Sequence, residues 1–298
     1  MTVKIEKGWT AREIGNELAR KKVIGSAVSF RIYMRYKGFE DKLRPGEYVM
    51  REGMDYSEAA AVLLKGPPER YTTVTIPEGY TIEQEAKILK KALNIDEERF
   101  KSLARSGSPV FASEFGFLSS NTTASLEGYL FPDTYRFKPN AAAADVIRAQ
   151  LARFKEVLGS LPVGQSGRSV HEIVTIASLI EREAKVADER PLISAVIANR
   201  LKKGMLLQID ATVQYALPEW KKQLTYKDLE VNSPYNTYKN PGLPPGPIGA
   251  PGLDCLKAAL FPARVDYLYY VVIDEAGRHF FTSNYGDFLK ARNRSPKP

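Results

Sequence analysis

Apolar and polar positions recur with two periods along this chain, and they predict a mixture of short strands and amphipathic helices. Two segments follow the same order. The strand-like runs Val3-Lys4-Ile5 and Val74-Thr75-Ile76 each lead into a glycine turn, a threonine cap and a helical pattern. We interpret them as two copies of one strand–turn–helix unit or as chance similarity between two common units.

The chain is predicted to divide into a small module over residues 1–70 and a larger region over residues 71–298. The run Gly66-Pro67-Pro68 predicts a linker between them. The first part has the strand and helix content of a wall-binding module of the lysin-motif type, and a structural domain without a ligand is the alternative. The predicted fold class is α+β.

Residues 169–185 carry the clearest helical period, and acidic residues stand at its end. With Ile173 set at zero, Glu181 falls at about 80°, inside the apolar stripe, and Glu183 at about 280°, near the other margin. Burial of a carboxylate raises its pKa and makes it available as a general acid near neutral pH. The alternative for Glu181 is a helix-end carboxylate bound to a basic partner or a backbone donor.

The segment after this helix is predicted as a second helix followed by a strand. Asp188 is the expected cap and Gly204 the expected end of the helix. Gln208, Asp210 and Thr212 then alternate with apolar residues, which predicts a strand with these side chains on one face. That face would either bind a substrate or cover the solvent side of the strand.

Two loops and a hairpin complete the pattern. Residues 241–251 contain eight Pro or Gly among eleven, which predicts a rigid irregular loop that lines a site or crosses the surface. The aromatic segment from Glu127 to Tyr135, with Tyr129 in it, would line a sugar cleft or pack as a core loop. Residues 267–274 and 279–282 predict a hairpin turning at Gly277.

Composition narrows the classes of function. The net charge of +8 suggests an anionic partner, but the basic residues are spread along the chain in short runs, so no nucleic-acid-binding tail is predicted. With two histidines a His-rich metal site is excluded, and the single cysteine, Cys255, is expected in the core. We predict no metal and no cofactor. No run of 18 apolar residues is present.

At this point the sequence resembles the endolytic murein transglycosylase family, the YceG-like proteins. The matching segments occur in the family's order and cover most of residues 70–285. They are Ile176-Ala177-Ser178-Leu179-Ile180-Glu181-Arg182-Glu183, Asn199-Arg200-Leu201, Gly204-Met205, Leu207-Gln208-Ile209-Asp210, Tyr235-Asn236-Thr237-Tyr238, Gly242-Leu243-Pro244-Pro245-Gly246-Pro247-Ile248, Pro251-Gly252 and Leu256-Lys257-Ala258-Ala259, with Glu127 to Tyr135 as a further family-like segment.

The resemblance implies a lytic transglycosylase, with a lysin-motif-like module over residues 1–70 and a mixed α/β catalytic region over residues 71–298. It implies cleavage of the MurNAc–GlcNAc β-1,4 bond of peptidoglycan with 1,6-anhydro ends. Glu181 is the expected catalytic residue. The candidate substrate-binding residues are Asn236, Tyr238, Gln208, Glu183 and Tyr129.

The resemblance also implies a single membrane-spanning helix before residue 1, with the catalytic region outside the cytoplasm. Cell-wall synthesis enzymes are candidate partners. Two alternatives stay open: a hydrolytic muramidase that uses Glu183 or Asp210 as a second carboxylate, and a non-catalytic wall-binding scaffold. A nucleic-acid binder is motivated only by the charge.

Overall fold

The computed structural model describes residues 1–294 and shows two compact units, Met1–Tyr71 and a second that begins at Thr72. Both units combine helices with small antiparallel sheets of two strands. This mixed architecture agrees with the predicted α+β class. Over residues 1–294, no helix has both the length and the apolar character that a membrane crossing requires.

In the first unit, two helices follow the first strand along the chain and precede the second strand, which pairs with the first. The strands are antiparallel, with Thr2 opposite Val49. The predicted threonine cap is present, because the Thr10 hydroxyl accepts from the Glu13 N–H while the Glu13 carboxylate accepts from the Thr10 N–H. The elements are β1 (Thr2–Ile5), α1 (Ala11–Arg20), α2 (Ala27–Lys37), β2 (Gly46–Val49) and α3 (Tyr56–Lys65).

The second unit begins with the other strand–turn–helix segment and ends with the predicted hairpin and a helix. Thr81 caps its first helix in the same way as Thr10 does in the first unit. The elements are β3 (Thr72–Thr75), α4 (Ile82–Leu93), α5 (Glu97–Arg105), α6 (Gly107–Phe111), β4 (Thr134–Phe137), α7 (Ala143–Gly159), α8 (Val170–Glu183), α9 (Arg190–Lys202), α10 (Asp210–Ala216), α11 (Leu253–Leu260), β5 (Tyr269–Val272), β6 (His279–Thr282) and α12 (Tyr285–Arg294).

Helix α8 is the central element of the second unit. Ser169 caps it, with Glu172 completing the capping box. Every residue from Ile173 to Ile180 is buried, so the helix is covered on all sides rather than along one stripe. Helices α9, α10 and α11 pack against it. Its two acidic residues near the carboxyl end therefore meet other parts of the fold on different sides.

The Pro- and Gly-rich segment has no regular structure, as predicted, and its second part lies inside the protein rather than on the surface. Residues 246–252 are buried. The N–H of Ile248 donates to the Ser178 hydroxyl on α8 at 3.1 Å. The N–H of Gly79 donates to the Ala250 carbonyl at 2.7 Å, and the N–H of Ala250 donates to the Tyr80 carbonyl at 2.8 Å. The segment is thus part of the packing around α8.

Two local predictions between α8 and α10 are wrong. The alternation at Gln208, Asp210 and Thr212 does not form a strand, because α10 begins at Asp210 and Thr212 is buried in it, bonded to the Thr237 hydroxyl at 2.9 Å. Five residues are too few to separate a strand from a loop that enters a helix. Asp188 does not cap α9, which starts at Arg190 with Pro191 in its first turn.

Candidate active site

A cleft opens at the carboxyl end of α8, between the start of α10 and the β5–β6 hairpin. Its volume is about 670 Å³. Three residues predicted from the sequence line it together: Glu183, Gln208 and Tyr238. Asp210 and Tyr270 line it as well. The structure therefore brings part of the predicted substrate-binding set to one place.

Glu183 is the carboxyl group best placed for acid chemistry in this cleft. Burial raises its pKa, and the negative charge of Asp210 raises it further, while the Tyr270 hydroxyl and His279 act in the opposite direction. Tyr270 donates its hydroxyl proton to Glu183 Oε2 at 2.9 Å. Glu183 is thus oriented by a hydrogen bond and keeps its proton to a higher pH than an ordinary glutamate.

The polar wall of the cleft is organised by backbone geometry and a short hydrogen bond. Gln208 has a positive φ of 51°, an uncommon conformation for a residue other than glycine, and its N–H donates to the Thr237 carbonyl at 3.1 Å. Its side chain is exposed. The Tyr238 hydroxyl donates to Asp210 Oδ1 at 2.5 Å. Gln208 is therefore held with its amide free to meet a ligand in the cleft.

Arg200 holds two backbone segments of the cleft together, a role that the sequence did not reveal. Its guanidinium is buried and donates to the Leu268 carbonyl at 2.6 Å and to the Leu207 carbonyl at 2.7 Å. Asn199 donates its amide to the Val265 and Tyr267 carbonyls, both at 2.9 Å. These bonds fix the segment before Gln208 and the segment that leads into β5. In the Asn-Arg-Leu motif, Asn199 thus holds the backbone around the cleft without lining it, while Arg200 does both.

The other acid of the Glu-x-Glu pair, Glu181, faces a different part of the fold. Its carboxylate accepts from the Gly252 N–H at 2.9 Å, immediately before α11. A Cβ added at Gly79 would lie 3.5 Å from the Glu181 Cγ, so the side chain also packs against the turn after β3. Glu181 does not line the cleft that contains Glu183. Its surroundings match the alternative of a carboxylate bound by a backbone donor.

Tyr129 and Asn236, the other two candidate substrate-binding residues, do not line the cleft. Both are fully buried, at 0% exposure. The Tyr129 hydroxyl is hydrogen-bonded to His171 Nδ1 at 2.9 Å, and the Asn236 amide donates to the Leu229 and Val231 carbonyls, both at 2.9 Å. Polar side chains at such positions are satisfied by internal partners rather than by a ligand. These two residues support the loops around the site.

A second cavity, of about 690 Å³, adjoins the cleft. The two cavities are neighbours and share four lining residues: Arg182, Ala211, Gln214 and Trp220. Glu127 lines the second cavity, where burial raises its pKa to about 7. Its carboxylate accepts from the Ile82 N–H at 3.2 Å. Of the segment from Glu127 to Tyr135, offered by the sequence as the lining of a sugar cleft or as a core loop, Glu127 lines this cavity while Tyr129 and Phe131 are buried. Sequence reasoning did not single out Trp220.

Comparisons with known proteins identify the family. A sequence model of the YceG-like family matches residues 3–294. This chain belongs to the YceG-like family. The family's endolytic murein transglycosylase from Bacillus subtilis is 35% identical over 99% of this chain and 84% of its own length. The protein of the same name from Streptococcus pneumoniae is 31% identical over 96% of this chain, which spans 57% of that longer relative.

A crystal structure of another family member shows the same fold. It is a YceG-like protein from Listeria monocytogenes, 34% identical to this chain, with a TM-score of 0.68. The match covers 97% of this chain and 98% of the other. The α+β architecture described here is thus shared with that protein over nearly the whole chain.

Proposed function

We propose that this chain is an endolytic murein transglycosylase, which cuts the MurNAc–GlcNAc β-1,4 bond inside peptidoglycan strands and leaves 1,6-anhydro-muramyl ends. Family membership and the names of the relatives support the activity and its class of substrate. The structural observation that carries the proposal is that the carboxyl group of Glu183 lines the cleft and has a raised pKa.

In the proposed reaction Glu183 acts first as an acid and then as a base. Its protonated carboxyl gives a proton to the glycosidic oxygen as the bond to C1 of the muramyl ring breaks. The resulting carboxylate then takes the proton of the C6 hydroxyl of the same ring, and that oxygen bonds to C1. Glu183 ends protonated again, and water is not consumed. The attack is intramolecular, which gives it a high effective concentration over water.

The neighbours of Glu183 suit both of its states. Tyr270 donates a hydrogen bond to the carboxylate that forms after proton transfer. Asp210 raises the pKa and so favours the acid form before proton transfer. Gln208 and Tyr238 lie along the same wall, and we propose that Gln208 binds the sugar directly. Glu181, the residue expected from the resemblance, has less support from the geometry because its carboxylate faces α11.

A hydrolytic muramidase remains the second candidate, for one specific reason. Asp210 lies in the same cleft as Glu183, and two carboxylates flanking the bond are what glycoside hydrolysis requires. Against it, the hydroxyl of Tyr238 already donates to Asp210 Oδ1 at 2.5 Å, so this oxygen is occupied by an internal partner rather than free to orient a water molecule. The chemical nature of the muramyl ends distinguishes the two.

For the first unit we propose wall binding by a lysin-motif-like module. The support is its order of strand, two helices and strand, with the strands paired antiparallel. A peptidoglycan substrate would place the catalytic unit outside the cytoplasm. The membrane-spanning helix before residue 1 and the partnership with cell-wall synthesis enzymes remain predictions from the resemblance.

The decisive experiment compares Glu183→Gln with Glu181→Gln on purified sacculi. We expect Glu183→Gln to lower the rate by roughly 10²–10⁴-fold, the usual contribution of a general acid. Glu181→Gln should retain most activity, since a glutamine oxygen still accepts from the Gly252 N–H. Circular dichroism and thermal melts check that both variants are folded, and mass spectrometry identifies the ends of the released glycans.

The outcomes separate the candidates. Loss of activity in Glu181→Gln with activity kept in Glu183→Gln would return the catalytic role to Glu181. Reducing muramyl ends as the main product of the wild-type chain would establish a hydrolase. A wild-type chain that binds sacculi without releasing any glycan would establish a scaffold.

A further inference from the structure

Trp220 is an exposed aromatic residue at the junction of the two cavities. Its exposed fraction is 65%, and it lines both cavities. It lies in the irregular segment that follows α10. An exposed indole offers apolar area that gains free energy when a ligand covers it. Its place at the junction points to a ligand that passes from one cavity into the other.

The segment that carries Trp220 is held in place by contacts on its next residue. The Gln214 amide on α10 donates to the Lys221 carbonyl at 2.5 Å and accepts from the Lys221 N–H at 3.0 Å. The Lys221 ammonium pairs with Asp228 at 2.5 Å. Asp228 is buried and also accepts from the Thr225 N–H at 2.8 Å. Three polar anchors thus fix the main chain beside an indole that remains exposed.

A fixed aromatic face in an open cleft matches a sugar ring. One face of a pyranose presents C–H groups, which pack on an indole while the hydroxyl groups remain free for polar partners. Because the backbone is already ordered, less conformational entropy is lost when the ligand binds. Arg182 lines both cavities with Trp220 and supplies a polar partner beside such a ring.

We propose that Trp220 is a stacking platform for a sugar ring next to the cleaved bond, so that one glycan strand occupies both cavities. This inference rests on the proposed function and adds to it an assigned path for the strand. Glu183 lies in one cavity and Glu127 in the other, with Trp220 between them. A strand that fills both cavities has sugars on each side of the platform. Recognition then depends on a length of glycan rather than on a terminal sugar.

Binding is measured without cleavage, in the Glu183→Gln background. The chain has two tryptophans, so Trp9→Phe leaves Trp220 as the single reporter. The probe is a purified MurNAc–GlcNAc hexasaccharide without stem peptides. We expect the emission of Trp220 to shift to shorter wavelength on titration and its quenching by acrylamide to fall, because the sugar covers the indole.

The affinity itself is measured by calorimetry with Trp220→Ala, Trp220→Tyr and Tyr226→Ala, each in the Glu183→Gln background. Tyr226 is the matched control, since it is 91% exposed on the same segment and lines neither cavity. We expect Trp220→Ala to raise Kd about tenfold, equivalent to roughly 1.4 kcal/mol. Trp220→Tyr should keep most of the affinity, and Tyr226→Ala all of it.

Three results would refute the proposal that Trp220 stacks on a sugar ring. They are an unchanged Kd in Trp220→Ala, an equal loss of affinity in Tyr226→Ala, and no binding of the hexasaccharide. These results do not depend on cleavage, because every protein in the series lacks the proposed acid. A wild-type chain that binds the glycan through Trp220 but never cleaves it would refute the proposed function and leave the platform in place.

Discussion

Glu85 gives a quantitative test of how burial acts on a carboxyl group in this fold. It lies on α4 with 2% of its surface exposed, and its Oε1 has no hydrogen-bond partner within residues 1–294. Burial raises its pKa from 4.5 to about 8, and the negative charge of Glu127 contributes to the rise. A carboxylate is costly in such surroundings, so the folded protein holds Glu85 in its protonated form.

The rise fixes both the sign and the size of a pH effect on stability. The pKa of Glu85 is higher in the folded chain than in the unfolded chain, so protonated Glu85 favours the folded state. This contribution to the free energy of unfolding is complete below about pH 4.5 and is lost as the pH rises through 8. A tenfold change in proton affinity corresponds to about 1.4 kcal/mol, so the full effect is roughly 5 kcal/mol. Glu85→Gln has no proton to lose and nearly the same shape. It should match the wild type near pH 4.5 and exceed it in stability by several kcal/mol at pH 9.

The assay is urea unfolding at pH 4.5, 7 and 9, followed by Trp220 fluorescence in the Trp9→Phe background so that only the second unit is observed. Glu83→Gln is the control, since Glu83 lies on the same helix with 46% of its side chain exposed. Its difference from the wild type should vary little with pH. A difference for Glu85→Gln that does not change between pH 4.5 and 9, or a variant that is less stable at pH 9, would refute the reasoning.

Two further predictions concern activity and wall binding. Tyr270→Phe removes the hydroxyl that lowers the pKa of Glu183, so that pKa should rise and the alkaline limb of the pH–rate profile should move to higher pH; an unmoved limb would argue against Glu183 as the acid. A fragment of residues 72–298 should fold, keep cleavage of short glycans and bind sacculi less tightly than the full chain. Unchanged binding in a sacculus pulldown would contradict wall binding by the first unit.

The sequence by itself determined the local structure and the family. Ser169, Thr10 and Thr81 act as caps where a polar residue precedes an apolar period, because capping depends only on residues within one turn. The hairpin of β5 and β6 follows from a glycine turn between two apolar runs. The ordered set of motifs identified the YceG-like family, which the comparison with its family model bears out.

Only the tertiary structure decided which acid of the Glu-x-Glu pair faces the cleft. Periodicity assigns one apolar face to a helix, but α8 is buried on every side from Ile173 to Ile180, so the stripe that contains Glu181 does not indicate where the cleft lies. Glu181 meets the Gly252 N–H, which lies 71 residues further along the chain, and Glu183 meets the Tyr270 hydroxyl, 87 residues further along. Tyr129 is likewise buried beside a distant partner, His171, which lies 42 residues further along. Contacts over such separations are set by packing, and no local pattern in the sequence encodes them.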